Sequence, residues 1–170
     1  PENAKITFNI AAPVDVISTK GTSSIDTNSF ILTIRNVNGT EIYNGLYGSR
    51  PEEIVVAAGT YETSVVSEMF DSPEFEKPCY GDDRVIVVSN GQTANVAFLC
   101  KLTNACINLS FTERFVKKYG DSGVSLKQGD NAVLYAANET RSLYFEPGNV
   151  EFSVGDEPLF NRVLKAGEFH

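Results

Sequence analysis

Two asparagine-glycine steps constrain the fold of this chain more than any other feature. Asn38-Gly39 and Asn90-Gly91 each lie between alternating apolar runs. A two-residue type I′ turn needs positive φ at both central positions, and Asn-Gly is the pair that best tolerates it. Each step therefore predicts the tip of a β-hairpin. Together the two steps predict an antiparallel all-β protein.

The alternation of apolar and polar side chains marks the strands. Ile6, Phe8 and Ile10 alternate with polar residues in the segment 4–11, as expected for a half-buried strand. Residues 20–29 are rich in glycine, serine, threonine, aspartate and asparagine, and they predict a loop. Further strands are predicted at residues 30–34, 41–43, 53–58, 60–68, 85–88, 93–102, 106–111, 123–127, 132–136, 142–145, 150–154 and 159–164.

Two local motifs predict structure rather than chemistry. Gly59 followed by Tyr61 is typical of a sandwich corner, in which the tyrosine hydroxyl binds nearby backbone. Residues 112–120 predict one short helix, with Thr112 as the N-cap and Gly120 at the C′ position. A structural role for the tyrosine is therefore favoured over a catalytic one.

The length of the chain allows one large β domain or two small ones, since it has 170 residues. About seven predicted strands precede Leu102, and these are enough for one sandwich. We therefore predict two consecutive antiparallel β-sandwich modules of transthyretin or immunoglobulin type, at residues 1–102 and 103–170. The second module is the smaller, and its C-terminal end is expected to be incomplete.

The charge and hydropathy of the chain exclude several partners. The net charge is −8, whereas nucleic-acid binding needs clustered lysine and arginine. The same charge opposes simple electrostatic binding to an anionic membrane surface. No apolar run reaches the ~18 residues of a transmembrane segment. The opening Pro1-Glu2-Asn3 has neither a signal peptide nor an initiator methionine, so a mature exported protein is expected.

The side chains predict no enzyme and no cofactor. The single histidine is His170, and a serine or cysteine nucleophile commonly needs a histidine base. Neither phosphate-binding glycine motif occurs. Two carboxylates could serve a glycosidase, but adjacent ones on a strand point to opposite faces. The carboxylates considered are Glu52-Glu53, Asp71 with Glu74 and Glu76, and Asp82-Asp83.

No metal site is expected. Calcium could bind the acidic residues at 71–76 or 82–83, but their spacing is not that of an EF-hand. The three cysteines contain no CxxC pair, which disfavours zinc. Cys100 lies in an apolar strand pattern and is expected to be buried. A disulfide from Cys79 to Cys100 or Cys106 remains an alternative.

The long connection at residues 69–83 carries the speculative ligand-binding residues Phe70, Phe75 and Tyr80. Loops of this length are often functional, and exposed aromatic rings could form a platform for a sugar. The competing and favoured interpretation is that the three rings fold back as a small satellite core.

Several segments resemble surface lipoprotein modules of the Bacteroidetes. They are an apolar strand followed by Gly-x-Tyr and another strand at residues 53–65, and the segments 70–73, 78–81, 100–105 and 111–119. This group includes fimbrillin-like proteins and an uncharacterised domain at the N-terminus of larger exported proteins. The resemblance covers roughly residues 14–145. It implies transthyretin-like sandwiches that are lipid-anchored at the cell surface, although this chain has no lipobox cysteine near its start.

The resulting functional prediction is a non-catalytic cell-surface module for adhesion, pilus assembly or display of a larger exported protein. We expect export and, in the full-length protein, anchoring at the outer membrane. The alternative is a carbohydrate-binding module of a glycan-uptake system. The expected partners are a protein or a downstream domain at the C-terminal edge or, in the alternative, a glycan.

The C-terminal residues predict the start of a further strand. Val163 and Leu164 precede Gly167 and Phe169, in a pattern that resembles the approach to a pairing strand. A sandwich that lacks its last strand exposes unpaired N–H and C=O groups, and a neighbour's strand can fill the gap. The competing and favoured interpretation is a truncated chain with a frayed tail.

Overall fold

The computed structural model describes the backbone of residues 2–11, 16–18, 21–23 and 25–170, and the side chains of residues 2–11 and 25–170. Strands dominate, so the predicted all-β class is confirmed. In chain order the elements are β1 Ala4–Ala11, β2 Val16–Ser18, β3 Gly21–Ser23, β4 Ile31–Asn36, β5 Glu41–Leu46, β6 Ile54–Val56, β7 Gly59–Val66, β8 Glu74–Phe75, β9 Tyr80–Val88, β10 Thr93–Leu99, β11 Lys101–Leu102, β12 Ala105–Ile107, α1 Glu113–Tyr119, β13 Val124–Gln128, β14 Asn131–Tyr135, β15 Leu143–Phe145, β16 Gly148–Val154 and β17 Glu157–Leu164.

The chain divides into two compact units. Unit 1 contains Pro1–Met69 and Tyr80–Lys101, and unit 2 contains Phe70–Cys79 and Leu102–His170. The sequence assigned residues 70–79 to the first module, whereas this segment packs in unit 2. Its short strand β8 pairs with β15, with Leu143 opposite Phe75. That the units behave as independent modules stays a prediction.

Unit 1 is a sandwich of two sheets. One sheet has the order β10-β1-β6 and the other the order β11-β9-β7-β4-β5. The alternate residues of β1 that face inward, Ala4, Ile6 and Phe8, are buried together with Leu32 and Ile34 of β4. This period of two is the pattern of a strand that covers a core on one face.

The chain turns from one sheet of unit 1 to the other between β6 and β7, and a tyrosine fixes this corner. The hydroxyl of Tyr61 donates a 2.7 Å hydrogen bond to the carbonyl of Ala57. The Tyr61 ring is buried in the core of the unit. The predicted tyrosine corner is therefore confirmed.

The first Asn-Gly step does form a hairpin, but the predicted turn type is wrong. Gly39 has φ of +81°, while Asn38 is not in the left-handed region. The N–H of Gly39 bonds to the carbonyl of Asn36, and the N–H of Asn36 bonds to the carbonyl of Thr40. This geometry is a three-residue loop with glycine in the left-handed position. The Asn36 side chain stabilises the loop by accepting from the N–H groups of Asn38 and Thr40, at 3.0 Å each.

The second Asn-Gly step does not form a hairpin, so this prediction is wrong. Strand β9 pairs with β7, whereas β10 pairs in parallel with β1, from Lys5 opposite Thr93 to Ala11 opposite Leu99. The turn therefore carries the chain between sheets. Gly91 takes φ of +74°, and its N–H bonds to the carbonyl of Asn3. A turn sequence fixes the local reversal but does not choose the strand that the chain joins next.

The predicted loop at residues 20–29 is also partly wrong. Residues Gly21–Ser23 form β3, which pairs antiparallel with β2. A short 3₁₀ turn follows at Thr27–Ser29, with the Asp26 side chain accepting from the N–H of Asn28. The predicted loop also includes residues 20 and 24, which lie outside the described residues.

Unit 2 is a second two-sheet arrangement with one helix. Its sheets have the orders β12-β15-β8 and β14-β13-β16-β17. The helix α1 follows the predicted capping, because Thr112 accepts from the N–H of Phe115 at 3.1 Å and Gly120 ends it with φ of +81°. Phe115 packs on the core of unit 2, which is formed by Ala105, Ile107, Val124, Leu126, Tyr135, Leu143, Phe145, Val150, Phe152 and Leu164.

Candidate functional site

A groove lined by aromatic and aliphatic side chains lies in unit 2. Its volume is about 230 Å³. The segment before α1 and the first turn of α1 form one wall, and β13, β16 and β17 form the other. We call it the aromatic groove, and it is lined by Leu109, Ser110, Phe111, Thr112, Phe115, Val124, Phe152, Leu159 and Phe160.

The groove is open because the last strand of its sheet is not covered. Phe152 of β16 lies directly opposite Phe160 of β17, so both side chains are on the same face. Phe152 is only 4% exposed, whereas Phe160 is 53% exposed. A face that is buried at one strand thus becomes accessible at the next. The sheet face is therefore accessible around Phe160, whereas Leu164 at the end of β17 is buried in the core.

The rings around the groove support one another. Phe152 and Phe160 stack with ring centroids 4.5 Å apart and planes 17° apart. On the opposite wall, Phe111 and Phe115 meet edge to face at 5.5 Å. Aromatic pairs in these geometries add about 0.5–1.5 kcal/mol beyond their buried area. The walls are therefore preformed by packing within unit 2.

The last residues of the chain, 168–170, form an extended tail beside β12. The N–H of Cys106 donates to the carbonyl of Glu168 at 2.9 Å, and the N–H of His170 donates to the carbonyl of Cys106 at 2.9 Å. The N–H of Asn108 then donates to the carbonyl of His170 at 2.7 Å. This pattern is a parallel bridge, with Phe169 opposite Cys106. The tail is therefore held on β12 by one isolated bridge, so the favoured interpretation of a frayed tail is wrong. That a neighbour's strand pairs here stays a prediction.

The ring of His170 also contacts the tail itself. Its Nε2 atom lies 2.8 Å from the carboxylate of Glu168. This hydrogen bond, together with the one from the N–H of Lys165, holds the pKa of Glu168 below its ordinary value. The single histidine thus lies against a structural carboxylate in the folded unit.

Residues 109–111 follow β12 outside any strand, and we call this segment the unpaired edge. Among the described residues, no backbone carbonyl accepts a hydrogen bond from the N–H of Leu109, Ser110 or Phe111. The neighbouring N–H of Asn108 does have a partner in the tail, as given above. The unpaired edge also lines the aromatic groove, so backbone N–H groups without partners lie beside the apolar side chains of the groove.

The three aromatic residues predicted for ligand binding do not pack as one group. Phe75 packs on the core of unit 2, with its ring 5.8 Å from that of Tyr135 and the Arg141 guanidinium 4.4 Å from its centroid. Tyr80 packs on the core of unit 1. Phe70 is half-buried. Ligand binding by these residues stays a prediction.

Three of the candidate carboxylates, Asp82, Glu53 and Glu74, form hydrogen bonds or ion pairs. Asp82 accepts 2.9 Å hydrogen bonds from the N–H of Leu99 and from Nε of Arg84. Burial alone would raise the pKa of Asp82, but these two bonds lower it below its ordinary value. Other carboxylates pair with lysines, since Glu53 lies 2.8 Å from Lys5 and Glu74 lies 3.1 Å from Lys77.

Asp83 points away from its neighbour Asp82, as expected for a strand. It lines a shallow depression of about 240 Å³ on the outer face of the larger sheet of unit 1, with Thr33, Arg35, Glu62, Ser64 and Val85 among the other lining residues. Arg35 in this depression is paired with Glu41 at 3.2 Å. Within the described part of the chain, no group of three or more His, Cys, Asp or Glu side chains could hold a metal ion.

Cys100 and Cys106 are buried thiols, so the alternative of a disulfide from Cys79 to either of them is not formed. Burial, with a contribution from the charge of Asp82, raises the pKa of Cys100 to about 11. The Cys100 thiol therefore remains protonated at neutral pH and is a poor nucleophile. Its predicted burial in an apolar strand region is confirmed.

The sequence did not identify Phe152, Leu159 and Phe160 as site residues. Their strands were predicted, but pairing across the two strands decides which rings share a face. One signal was present in the sequence, because residues 159–164 lack the clean alternation of a strand that covers a core on one face. No helix among the described residues has the length and hydrophobicity needed to cross a bilayer.

One protein-family model matches most of the chain. A domain of unknown function, DUF4493, matches residues 3–158. A comparison with curated protein sequences finds no match.

Several solved structures are similar to this chain. The fimbrial anchor protein Mfa2 from Porphyromonas gingivalis is 8% identical, with a TM-score of 0.46, over 95% of this chain and 82% of that one. A candidate adhesin from Bacteroides ovatus is 7% identical, with a TM-score of 0.48, over 96% of this chain and 76% of that one. A candidate polysaccharide-binding protein from Bacteroides thetaiotaomicron is 6% identical, with a TM-score of 0.46, over 95% and 80%. The structural similarities are distant, whereas the family match spans most of the chain.

Proposed function

The chain belongs to the DUF4493 family, and on that premise we propose that it is a non-catalytic surface module for adhesion, pilus assembly or display of a larger exported protein. One observation carries the proposal: the aromatic groove of unit 2 lies beside the unpaired edge at residues 109–111. Apolar surface next to backbone N–H groups that have no partner suits the binding of another polypeptide.

The role of the carboxylates supports a non-catalytic function. A glycosidase needs two carboxyl groups that converge on one cleft. Asp82 is instead bonded to Leu99 and Arg84. Asp83 faces the opposite side of the same strand. These side chains have structural roles or face solvent separately.

The proposed location is the cell surface, with an outer-membrane anchor in the full-length protein. The resemblance to surface lipoprotein modules and the acidic composition support this location. The test is protease treatment of intact cells of the source organism, followed by immunoblotting for the chain. We expect digestion in intact cells while a cytosolic marker remains whole. Protection in intact cells and digestion only after lysis would contradict the proposed location.

Carbohydrate binding is the alternative, and it has less support from the packing. A sugar platform needs exposed ring faces, yet the Arg141 guanidinium covers the ring of Phe75 and Tyr80 packs on the core of unit 1. Glycan-array binding that is lost on Phe75→Ala or Tyr80→Ala would favour the alternative over the protein-binding function.

A further inference from the structure

We propose that Asn90 is a site of spontaneous covalent modification, at which the backbone nitrogen of Gly91 attacks the Asn90 side chain, and that the fold directs this reaction to Asn90. The chain contains a third Asn-Gly step, Asn44-Gly45, in addition to the two already described. Identical dipeptides in different surroundings separate the contribution of the fold from that of the local sequence. The surroundings of Asn90 favour the reaction, and those of the other two steps oppose it.

The reaction needs only the two residues and water. The Gly91 nitrogen loses its proton to hydroxide and forms a bond to Cγ of Asn90, while the bond from Cγ to the side-chain nitrogen breaks. That nitrogen takes up a proton from water and leaves as ammonia, so a five-membered succinimide ring remains. Water then opens the ring at either carbonyl and leaves an aspartate or an isoaspartate. Glycine favours the attack because no Cβ crowds its nitrogen.

The turn at Asn90 allows the peptide rotation that brings this nitrogen to Cγ. The N–H of Gln92 donates to the carbonyl of Ser89 at 3.1 Å, which closes a β-turn. Asn90 and Gly91 are its two central residues, and Gly91 has φ of +74°. Types I and II of such a turn differ by a rotation of the peptide between the central residues, while the closing bond is kept. The peptide that carries the Gly91 nitrogen is therefore able to rotate in the closed turn.

One long hydrogen bond opposes that rotation. The N–H of Gly91 donates to the carbonyl of Asn3 at 3.3 Å, which is beyond the usual range of about 2.7–3.2 Å. Both Asn90 and Asn3 are exposed, so water and hydroxide reach the reacting atoms. The fold thus places the nucleophilic nitrogen in solvent and restrains it only weakly.

The step at Asn38 is held more firmly. Here the bond from the glycine N–H to the carbonyl of Asn36, at 3.0 Å, is the one that closes the turn. The Asn36 side chain also accepts from the N–H groups of Asn38 and Thr40 at 3.0 Å each. Rotation of the Gly39 peptide therefore breaks the closing bond of the loop. We expect a slower reaction at Asn38 for this reason.

The step at Asn44 lies inside a strand. Asn44 is opposite Thr33, and Gly45 is opposite Leu32, in the antiparallel ladder of β4 and β5. The extended backbone of an antiparallel strand holds the nitrogen of each residue away from the side chain before it. Because the ladder fixes this conformation, a slow reaction is expected at Asn44 as well.

The modified turn connects the two sheets of unit 1. Strand β9 belongs to the larger sheet and β10 to the smaller one, so an isoaspartate at residue 90 lengthens the main chain of this connection by one methylene group. Either product also adds one negative charge to a chain whose net charge is −8. The reaction is irreversible once ammonia has left, so the modified fraction increases with the age of the protein.

The experiment is incubation of the purified 170-residue chain at mildly alkaline pH, followed by proteolysis and mass spectrometry of samples taken over time. Cleavage after Glu41 separates Asn38 from Asn44, so each step is measured in its own peptide. We expect Asn90 to react about tenfold faster than either of the other two, with aspartate and isoaspartate products. Equal rates at the three steps of the native chain, or a faster rate at Asn38 or Asn44, would overturn the proposal.

The same measurement in concentrated urea is the matched control, because the three dipeptides are then released from the fold. We expect the three rates to converge in urea. If the preference for Asn90 persists unchanged in the unfolded chain, the local sequence causes it and the role of the fold is ruled out.

One variant tests the reason for the protection of Asn38. Asn36→Ala removes the side-chain acceptor of two N–H groups in the loop, and it should raise the rate at Asn38 several-fold. The rate at Asn90 should stay the same, and it serves as the internal control for an intact fold. An unchanged rate at Asn38 would overturn the assignment of its protection to the hydrogen-bonded loop.

Discussion

Each unit contains a stacked pair of phenylalanine rings, and the two pairs differ in exposure. In unit 1, Phe8 and Phe98 stack at 5.7 Å and are 7% and 1% exposed. In unit 2, Phe152 and Phe160 stack at 4.5 Å, but Phe160 is 53% exposed. Both rings of the first pair are buried in the core, whereas in the second pair Phe152 is buried and Phe160 is exposed. A stacked phenylalanine pair thus fills the core of unit 1, whereas in unit 2 such a pair lines the aromatic groove.

The strand edges differ in the same way. In unit 1, β10 is an edge strand, and the carboxylate of Asp82 from the other sheet accepts the N–H of Leu99. In unit 2, the unpaired edge at residues 109–111 has no such acceptor among the described residues. Edge strands with bare backbone are sites of strand addition unless a side chain or loop covers them. The edge of unit 1 is therefore covered at Leu99 by a side chain of the same unit, whereas the N–H groups of residues 109–111 have no such acceptor among the described residues.

The largest expected effect is on the closed pair. Phe98→Ala removes a buried ring from the core of unit 1, and it should lower the free energy of unfolding by about 3–5 kcal/mol. Urea unfolding followed by tyrosine fluorescence measures the change. A loss below about 1 kcal/mol would mean that this core is not closed as described.

The next effect tests a buried side chain that anchors part of unit 2. Asn104 is 1% exposed, and its amide donates to the carbonyl of Lys77 at 2.9 Å and accepts from the N–H of Cys79 at 3.2 Å. Asn104→Ala removes both hydrogen bonds of this buried side chain, and the expected loss is about 1–3 kcal/mol. Asn149→Ala, at an exposed position, is the control and should change stability by less than about 0.5 kcal/mol. Equal effects of the two changes in urea unfolding would contradict this anchoring role.

The Asp82 bond across unit 1 predicts a dependence on pH. Because the folded-state pKa of Asp82 is lowered, its contribution is present above the ordinary aspartate pKa of about 3.9 and is lost as pH falls through the folded value. Asp82→Asn should reduce the free energy of unfolding by about 1–2 kcal/mol at pH 7. The free energy of unfolding of the variant should also decrease less steeply as the pH is lowered.

The control for this change is Asp83→Asn on the same strand, since Asp83 faces the outer side of the sheet. Unfolding curves between about pH 2 and pH 7 compare the three proteins. If Asp83→Asn flattens the acid dependence as much as Asp82→Asn does, the bond between the sheets is not the cause.

The smallest expected effect is on the open pair. Phe160→Ser removes a half-exposed ring and its stacking contact with Phe152, and it should cost about 1 kcal/mol of stability. Thermal unfolding measures it. A loss as large as that of Phe98→Ala would show that β17 belongs to a closed core and would remove the contrast between the units.

Local features of the fold could be predicted from the sequence. The cap of Thr112 and the corner of Tyr61 depend on neighbours within a few residues, and both appear as expected. The alternation in residues 4–11 also identified the core face of β1. Such features are set by backbone geometry and by the periodic burial of one face.

Pairing between distant segments could not be predicted in the same way. Asn90-Gly91 specifies a turn, but the choice of β1 as the partner of β10 depends on contacts 88 residues apart, such as the hydrogen bond from Asn95 to Thr7. Asn104 likewise gains its role only because residues 77–79 fold back onto it. The aromatic groove depends on the register that places Phe160 opposite Phe152. A sequence pattern predicts which face of a strand is buried, but it does not predict which strands pair with it.

The most direct test of the open edge is hydrogen exchange of single backbone amides in the native protein, measured by NMR. The account predicts strong protection for Leu99, which is bonded to Asp82, and for Cys106 and Asn108, which are bonded to the tail. It predicts fast exchange for Leu109, Ser110 and Phe111, because these amides have no partner among the described residues. Protection of residues 109–111 equal to that of Cys106 would contradict the central claim that the N–H groups of these residues have no partner in unit 2.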